Sequence, residues 1–187
     1  MRLTEIILSI AGKGNTQLDC RISNRYIFRL CWKYGLMLLR GFFFSFGYKN
    51  ISNKLFIGNK VRVLEKKNLS VGKKTRIQDN VYIDAWSTNG IVLGESVLIG
   101  RNSRLECTRS IECIGKGMNI GNQTTFGNDC YFGAADGITI GVDVVAGQFI
   151  RLHSENHNFS DMTKLIREQG VTHKGIKIGN NCWIGAV

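Results

Sequence analysis

Proline is absent from this chain of 187 residues, and histidine occurs only three times. Without proline, no residue of a central strand is deprived of the backbone N–H that it needs for pairing with a neighbour. Nowhere do 18 or more apolar residues follow one another without a charge, which argues against a membrane-spanning helix. The first residues, MRLTEIILSIAG, lack the long apolar core of a signal peptide, so we expect a cytoplasmic protein.

None of the six cysteines forms a C-x-x-C pair or another spacing typical of zinc ligands. We therefore expect reduced thiols that are mostly packed inside the protein, and no bound metal. The sequence also lacks a convincing P-loop or dinucleotide fingerprint, and we expect no nucleic-acid partner.

Positive charge is concentrated in the first 80 residues, which contain 16 Lys and Arg against 4 Asp and Glu. The rest of the chain contains 9 Lys and Arg against 10 Asp and Glu. If the protein has a basic partner surface, that surface belongs to the N-terminal part.

From about residue 57 the sequence repeats with a period of six, in units such as IGNKVR, VGKKTR and IGNQTT. There are 17 unit starts, and in 12 of them the second residue is glycine. An apolar first residue places one large side chain per short strand in a common interior, and a small fifth residue fits beside it. The glycine suits a corner at which the backbone turns tightly, often with positive φ. A period of six, unlike the 3.6 of an amphipathic helix, predicts an all-β parallel β-helix over residues 51–187.

Insertions interrupt the repeat. Short insertions between the units that start at 83 and 93, at 105 and 114, and at 132 and 140 are interpreted as bulges at corners. The long break between the units at 152 and 178 contains the polar segment 154–175, SENHNFSDMTKLIREQGVTHKG. We expect this segment to be an irregular projecting loop, and such loops on a rigid scaffold commonly carry function.

The repeat, followed by ENHNFSD and IKIGNNCWIGA, resembles the left-handed β-helix acyltransferases. Within them it is similar to bacterial acetyltransferases that O-acetylate sugars of capsule, O-antigen or exopolysaccharide. The resemblance covers roughly residues 50–187. It implies a left-handed coil, a homotrimer, acetyl-CoA as co-substrate, and a sugar or lipid-linked glycan as acceptor.

The resemblance also implies that His157 is the catalytic base, since the related enzymes have a histidine in this setting. An imidazole is suited to removing a hydroxyl proton near neutral pH. The alternative is that His157 is a solvated loop residue. His153, four residues earlier, occupies the turn position where glycine is usual, and we interpret it as a corner side chain.

A carboxylate behind the imidazole would fix its tautomer, and three acidic residues are candidates: Asp136, Glu155 and Asp161. Asp136 precedes His157 by roughly one coil and is assigned to the catalytic set. Its alternative is a corner aspartate that caps backbone N–H groups. Asn156 and Asp161 lie on either side of His157 and are assigned to acceptor binding.

Coenzyme A is expected, from the resemblance, along the C-terminal coils. Trp183 ends its unit and should face outward, either lining the pantetheine arm or packing at a subunit interface. Gly185 and Ala186 complete the CWIGA motif and are assigned to the same site. Lys174 and Lys177 would meet the coenzyme A phosphates, or else are solvated surface charges.

Residues 1–50 form a separate N-terminal segment that contains a predicted helix. Its basic residues are four apart and form a slowly drifting stripe: Arg21, Arg25, Arg29 and Lys33. One interpretation is that this helix caps the first coil and buries its open edge. The other is that residues 21–48 make peripheral contact with anionic lipid at the inner face of the membrane.

Two other functions compete with the acyltransferase. The γ-type carbonic anhydrases share the fold and need three histidines around zinc, but His173 of this chain lies inside the loop rather than on a coil. The chain also stops inside a coil, at WIGAV. That feature predicts a truncated remnant with weak coenzyme A binding and reduced or lost activity.

Apolar residues at outward positions, such as Phe149 and Trp183, predict lateral packing of the coils of neighbouring subunits. We therefore expect a homotrimer with active sites between subunits. Analytical ultracentrifugation at micromolar concentration tests this expectation, and a monomer would contradict it.

Overall fold

The computed structural model describes residues 19, 21–107 and 114–186. Helix α1 (Asn24–Ser45) comes first, and short strands follow in three parallel sheets and one ribbon. Sheet I contains β1 (Phe56–Ile57), β4 (Arg76–Ile77), β7 (Leu98–Ile99), β10 (Thr125–Phe126), β13 (Val145–Ala146) and β18 (Trp183–Ile184). Sheet II contains β2 (Arg62–Leu64), β5 (Tyr82–Asp84), β8 (Arg104–Glu106), β11 (Tyr131–Gly133) and β14 (Arg151–His153). Sheet III contains β3 (Leu69–Val71), β6 (Ile91–Leu93), β9 (Met118–Ile120), β12 (Ile138–Ile140) and β17 (Ile176–Ile178), and the ribbon contains β15 (Glu155–His157) and β16 (Val171–His173).

The chain visits the three sheets in turn, so that each strand pairs with the strand one coil later. In sheet I, Phe56 lies opposite Arg76, and Arg76 lies opposite Leu98 in the next coil. The same parallel order holds in the other two sheets. The predicted fold class is confirmed: the protein is an all-β, left-handed parallel β-helix with a short N-terminal helical segment.

The interior of the coil is formed by the apolar first residue and the small fifth residue of each unit. Phe126 and Phe132, the first residues of two successive units, pack edge to face with ring centroids 4.8 Å apart. The fifth residues Thr75, Ser103 and Thr124 are buried beside them. The prediction was wrong for the unit that starts at residue 114, because the Ile114 side chain is 43% exposed at a corner where the repeat is irregular.

The repeated glycines have a different physical reason from the one the sequence suggested. Positive φ occurs at the fourth residue of ten units rather than at the glycine: Lys60, Lys74, Asn80, Ser96, Asn102, Gln123, Asp129, Asp143, Phe149 and Asn181. The glycine is needed because its backbone lies against the next coil. A Cβ on Gly100 would lie 2.0 Å from the carbonyl oxygen of Gly127.

The four interruptions named above fall at one corner of the coil, between sheet II and sheet III, and so do the extra residues between β2 and β3. The regular hexapeptides form the other two corners. At the irregular corner a glycine with positive φ immediately precedes each of four sheet III strands: Gly90, Gly117, Gly137 and Gly175. We call these four residues the glycine ladder. One edge of the molecule is thus built from residues that the repeat does not specify.

Helix α1 packs over the first coil. It begins after Ser23, whose Oγ accepts a hydrogen bond from the Tyr26 N–H at 3.2 Å. The Tyr34 ring packs edge to face on Phe56 of β1, with centroids 5.8 Å apart, and Met37 is buried nearby. The helix therefore covers the outer face of β1. The capping interpretation required this contact with the first coil.

Four cysteines lie in the described residues, and none of these four forms a disulfide: Cys31, Cys107, Cys130 and Cys182. Burial raises the pKa of the Cys107 thiol to about 12. Such a thiol packs as a small apolar side chain and is not a nucleophile at neutral pH. Cys20 and Cys113 lie outside the described residues.

Because successive coils approach so closely, adding a single methyl group between them should lower the stability of the protein considerably. We expect Gly100→Ala to lower the free energy of unfolding by about 2–4 kcal/mol, because the backbone oxygen that its Cβ meets belongs to a paired strand end. Gly35→Ala on the exposed side of α1 is the matched control. No atom lies within 4 Å of its Cβ position, so that change should be neutral or slightly stabilising. Urea denaturation measures both, and equal stabilities would contradict the close approach.

Candidate functional site

The projecting segment is not irregular, because its two ends pair as an antiparallel ribbon. Glu155 of β15 lies opposite His173 of β16, and His157 lies opposite Val171. Residues two apart on a strand share a face, so His157 and His173 project from the same face of this ribbon. The sequence signalled a loop at 154–175 but did not signal its strands.

The far end of the loop is held by one amide side chain. The Gln169 Oε1 accepts from the Asp161 N–H at 3.0 Å, and its Nε2 donates to the carbonyl oxygen of Asp161 at 2.9 Å. The Asp161 carboxylate in turn accepts from the hydroxyl and N–H of Thr163 and lies 3.2 Å from the Lys164 ammonium. These hydrogen bonds from Thr163 lower the pKa of Asp161. The carboxylate assigned to acceptor binding is thus used to shape the loop tip.

A buried carboxylate lies where the ribbon joins the coil. Asp136 occupies the irregular corner between β11 and β12, and its side chain is only 6% exposed. Its Oδ1 lies 2.7 Å from the Lys116 Nζ and 3.6 Å from the His173 Nδ1. Asp136 was assigned as the group behind His157, but the structure places it against His173 instead.

The same corner is fixed by a buried hydroxyl group. Ser154, the residue just before β15, accepts a hydrogen bond from the Asp136 N–H at 2.8 Å. Its Oγ donates to the carbonyl oxygen of Gly133 at 3.0 Å. Ser154 therefore ties the start of the ribbon to the preceding coil through the backbone of Gly133 and Asp136.

A groove of about 510 Å³ runs along the outer face of sheet III from this corner. The glycine ladder forms part of its lining. At these four positions no side chain covers the backbone, which is therefore accessible from the groove. Three ammonium groups line it: Lys116, Lys174 and Lys177. Lys116 is paired with Asp136, whereas the side chains of Lys174 and Lys177 have no hydrogen-bond or ion-pair partner within the described residues. The groove is suited to an anionic group.

His153 and His157 lie in different environments. The His153 ring stacks on Tyr131 with centroids 4.9 Å apart, on the outer face of sheet II. The Tyr131 hydroxyl donates to Glu106 at 3.0 Å, and burial is the main cause that raises the pKa of Tyr131. His157 is exposed on the ribbon, and within the described part of the chain its side chain has no hydrogen-bond partner. Both residues are exposed, but one ring face of His153 is covered by Tyr131, whereas within residues 19, 21–107 and 114–186 no ring stacks on His157, which projects with the ribbon.

The residues assigned to coenzyme A do not come together in one pocket. Trp183 faces outward and is 83% exposed on sheet I, as predicted, and Gly185 and Ala186 follow it at the surface. Lys174 and Lys177 line the groove beside sheet III. Asn156, assigned to the acceptor, is exposed on the ribbon opposite Thr172.

Sequence reasoning missed four residues of this site: Lys116, Ser154, Gln169 and His173. The sequence contained a clue to Lys116, because this residue stands between two glycines in the irregular unit IGKGMN. His173 had a weaker one, because it lies just before the repeat resumes. Nothing in the pattern distinguished Ser154 or Gln169 from other polar loop residues.

Two features of the described residues bear on other functions. Residues 19, 21–107 and 114–186 contain no group of three or more His, Cys, Asp or Glu side chains placed to hold a metal ion. In the same part of the chain, no helix has the length and apolar character needed to cross a membrane.

No family model matches the chain, and no curated protein matches it. Among solved structures, the chain is similar to a hexapeptide-repeat containing acetyltransferase from Vibrio cholerae. The two share 19% sequence identity and a TM-score of 0.25 over 67% of this chain and 84% of that one. At this identity and TM-score, the similarity assigns neither a family nor an activity.

Because Asp136 is buried and Lys116 is exposed, replacing one partner of this ion pair should cost more stability than replacing the other. Lys116→Met leaves a buried carboxylate without its nearest cation and should cost about 1–3 kcal/mol of stability. Asp136→Asn leaves only an ammonium that is 61% exposed, which water solvates, so we expect a smaller loss. Chemical denaturation of both variants compares them. A larger loss for Asp136→Asn would show that Lys116 does not neutralise this corner.

Proposed function

We propose that the protein is an acyltransferase that uses acetyl-CoA to acetylate a hydroxyl of a sugar, with His157 as the general base. The observation that carries the proposal is the placement of this exposed imidazole. His157 lies on a ribbon whose base is fixed by Asp136 and Ser154, beside a groove with two ammonium groups that have no partner among the described residues. The resemblance of the ENHNFSD and CWIGA segments to β-helix acyltransferases supports the same reaction.

The reaction needs a base, an acyl donor and no covalent enzyme intermediate. The sugar hydroxyl attacks the thioester carbonyl while His157 accepts its proton. The C–O bond forms, the C–S bond breaks, and the imidazolium returns the proton to the leaving thiolate of coenzyme A. Cys107 and Cys130 are poor candidates for a nucleophile, since both are buried and their pKa values are raised by that burial.

The anionic end of coenzyme A suits the groove along sheet III. Its phosphate groups need cations that are not already neutralised, and no described residue forms an ion pair with Lys174 or Lys177. Lys116 contributes less, because Asp136 lies 2.7 Å from its ammonium group. The exposed Trp183 would line the pantetheine arm or a subunit interface.

A homotrimer would bring this machinery together across subunits. Trp183 with Gly185 and Ala186 lies at sheet I, whereas Lys174 and Lys177 lie at sheet III. One chain does not gather both sets in one pocket. A neighbouring copy would place the first set of one subunit beside the second set of another. For the acceptor we propose a sugar or lipid-linked glycan of a surface polysaccharide.

The test is an assay of purified protein with radiolabelled acetyl-CoA and the polysaccharide of the source organism. We expect His157→Ala to lower turnover by about 10²–10⁴, the usual loss when a general base is removed. The matched control is His153→Ala, which should cost much less because that ring stacks on Tyr131 on another face of the coil. Equal losses in the two variants, or a loss only in the His153 variant, would overturn the assignment.

A further inference from the structure

Helix α1 exposes a row of large apolar side chains on the side that faces away from the coil. Tyr34 and Met37 point to the coil. The opposite side carries residues at helical spacing, with one more just after the helix ends: Phe28, Trp32, Leu39, Phe43 and Phe46. We call these five residues the outer face. Each is more than half exposed, and Phe46 is 80% exposed. A helix that is apolar on both sides is suited to two apolar partners.

Positive charge accompanies the outer face. From Arg21 to Leu64 the sequence contains nine Lys and Arg and no Asp or Glu. Four of these cations lie on α1, along one flank of the outer face: Arg25, Arg29, Lys33 and Arg40. Within the part of the chain that the structure describes, Arg40 alone of these four has a hydrogen-bond partner, since its Nη1 donates to the carbonyl oxygen of Ile57 at 3.5 Å.

An apolar groove of about 430 Å³ opens beside the outer face, between α1 and the first coil. It is lined by Leu38, Leu39 and Phe42 of the helix, and Lys54 lies at its side. The groove places an apolar cleft next to a cation, which is the arrangement that a lipid with an anionic headgroup would fit.

We propose that the outer face binds the surface of an anionic lipid bilayer, with α1 lying in the plane of the interface. The aromatic side chains would enter the boundary between headgroups and acyl chains, and the flanking cations would contact lipid phosphates. A second copy docked through the same face is disfavoured, because it would bring two positive surfaces together with no carboxylate between them. This proposal does not depend on the acyltransferase assignment.

Sedimentation of the full chain with lipid vesicles tests the proposal. We expect binding to vesicles that contain about one third phosphatidylglycerol, little binding to pure phosphatidylcholine, and loss of binding as salt is raised. Trp32→Glu combined with Phe43→Glu should weaken binding at least about tenfold. Met162→Glu, at an exposed position of the projecting loop, is the matched control and should bind as the native chain does.

Tryptophan fluorescence tests which part of the chain contacts the bilayer. Brominated lipid should quench the native protein, and Trp32→Phe should abolish most of the quenching while the protein still sediments with vesicles. Trp86→Phe on the coil should leave the quenching unchanged. Circular dichroism of each variant checks that the coil is folded.

Three results would overturn the proposal. The first is failure of the native chain to bind anionic vesicles at low salt. The second is unaltered binding by the variant with glutamate at positions 32 and 43. The third is a change in the sedimentation coefficient of that variant without lipid, which would assign the outer face to a second copy of the chain.

Discussion

Backbone pairing between successive coils is the constraint on which the rest of this structure depends. Each strand of the three sheets has two or three residues and pairs in parallel register with the strands of the adjacent coils. Strands this short have no independent stability, so the coils hold their shape only by stacking. The backbones must therefore approach closely, as Gly100 does against Gly127, and a side chain at that point would separate the coils.

That constraint also determines where chemistry can be placed. Extra residues cannot enter a strand without shifting its register, so they accumulate at a corner. In this protein they all accumulate at the same corner, where insertions from successive coils lie above one another. Asp136, Lys116 and His173 come from three coils and meet there. A buried carboxylate at this point links the projecting ribbon to the coil, and the ribbon carries His157.

The two ends of the molecule differ in what they present to other molecules. The C-terminal coils provide an imidazole, a cationic groove and an exposed Trp183, all suited to small polar substrates. The N-terminal helix uses one side to cover β1 and exposes the other as an aromatic row flanked by cations. If the proposed acceptor is linked to lipid, these two features would serve one task, since contact with a bilayer would hold the proposed acyltransferase near that acceptor.

The sequence by itself determined the β-helix, because a period of six with one apolar residue per unit is a local pattern that every coil repeats. It also determined that Trp183 faces outward and that residues 154–175 leave the coil, since both follow from counting along the repeat. It misjudged the repeated glycines, because the close approach of the next coil is not visible in one unit. Only the tertiary structure decided that Asp136 contacts His173 and Lys116 rather than His157. Such contacts join residues from different coils, and their distances depend on how the irregular corner folds, for which no periodic pattern exists.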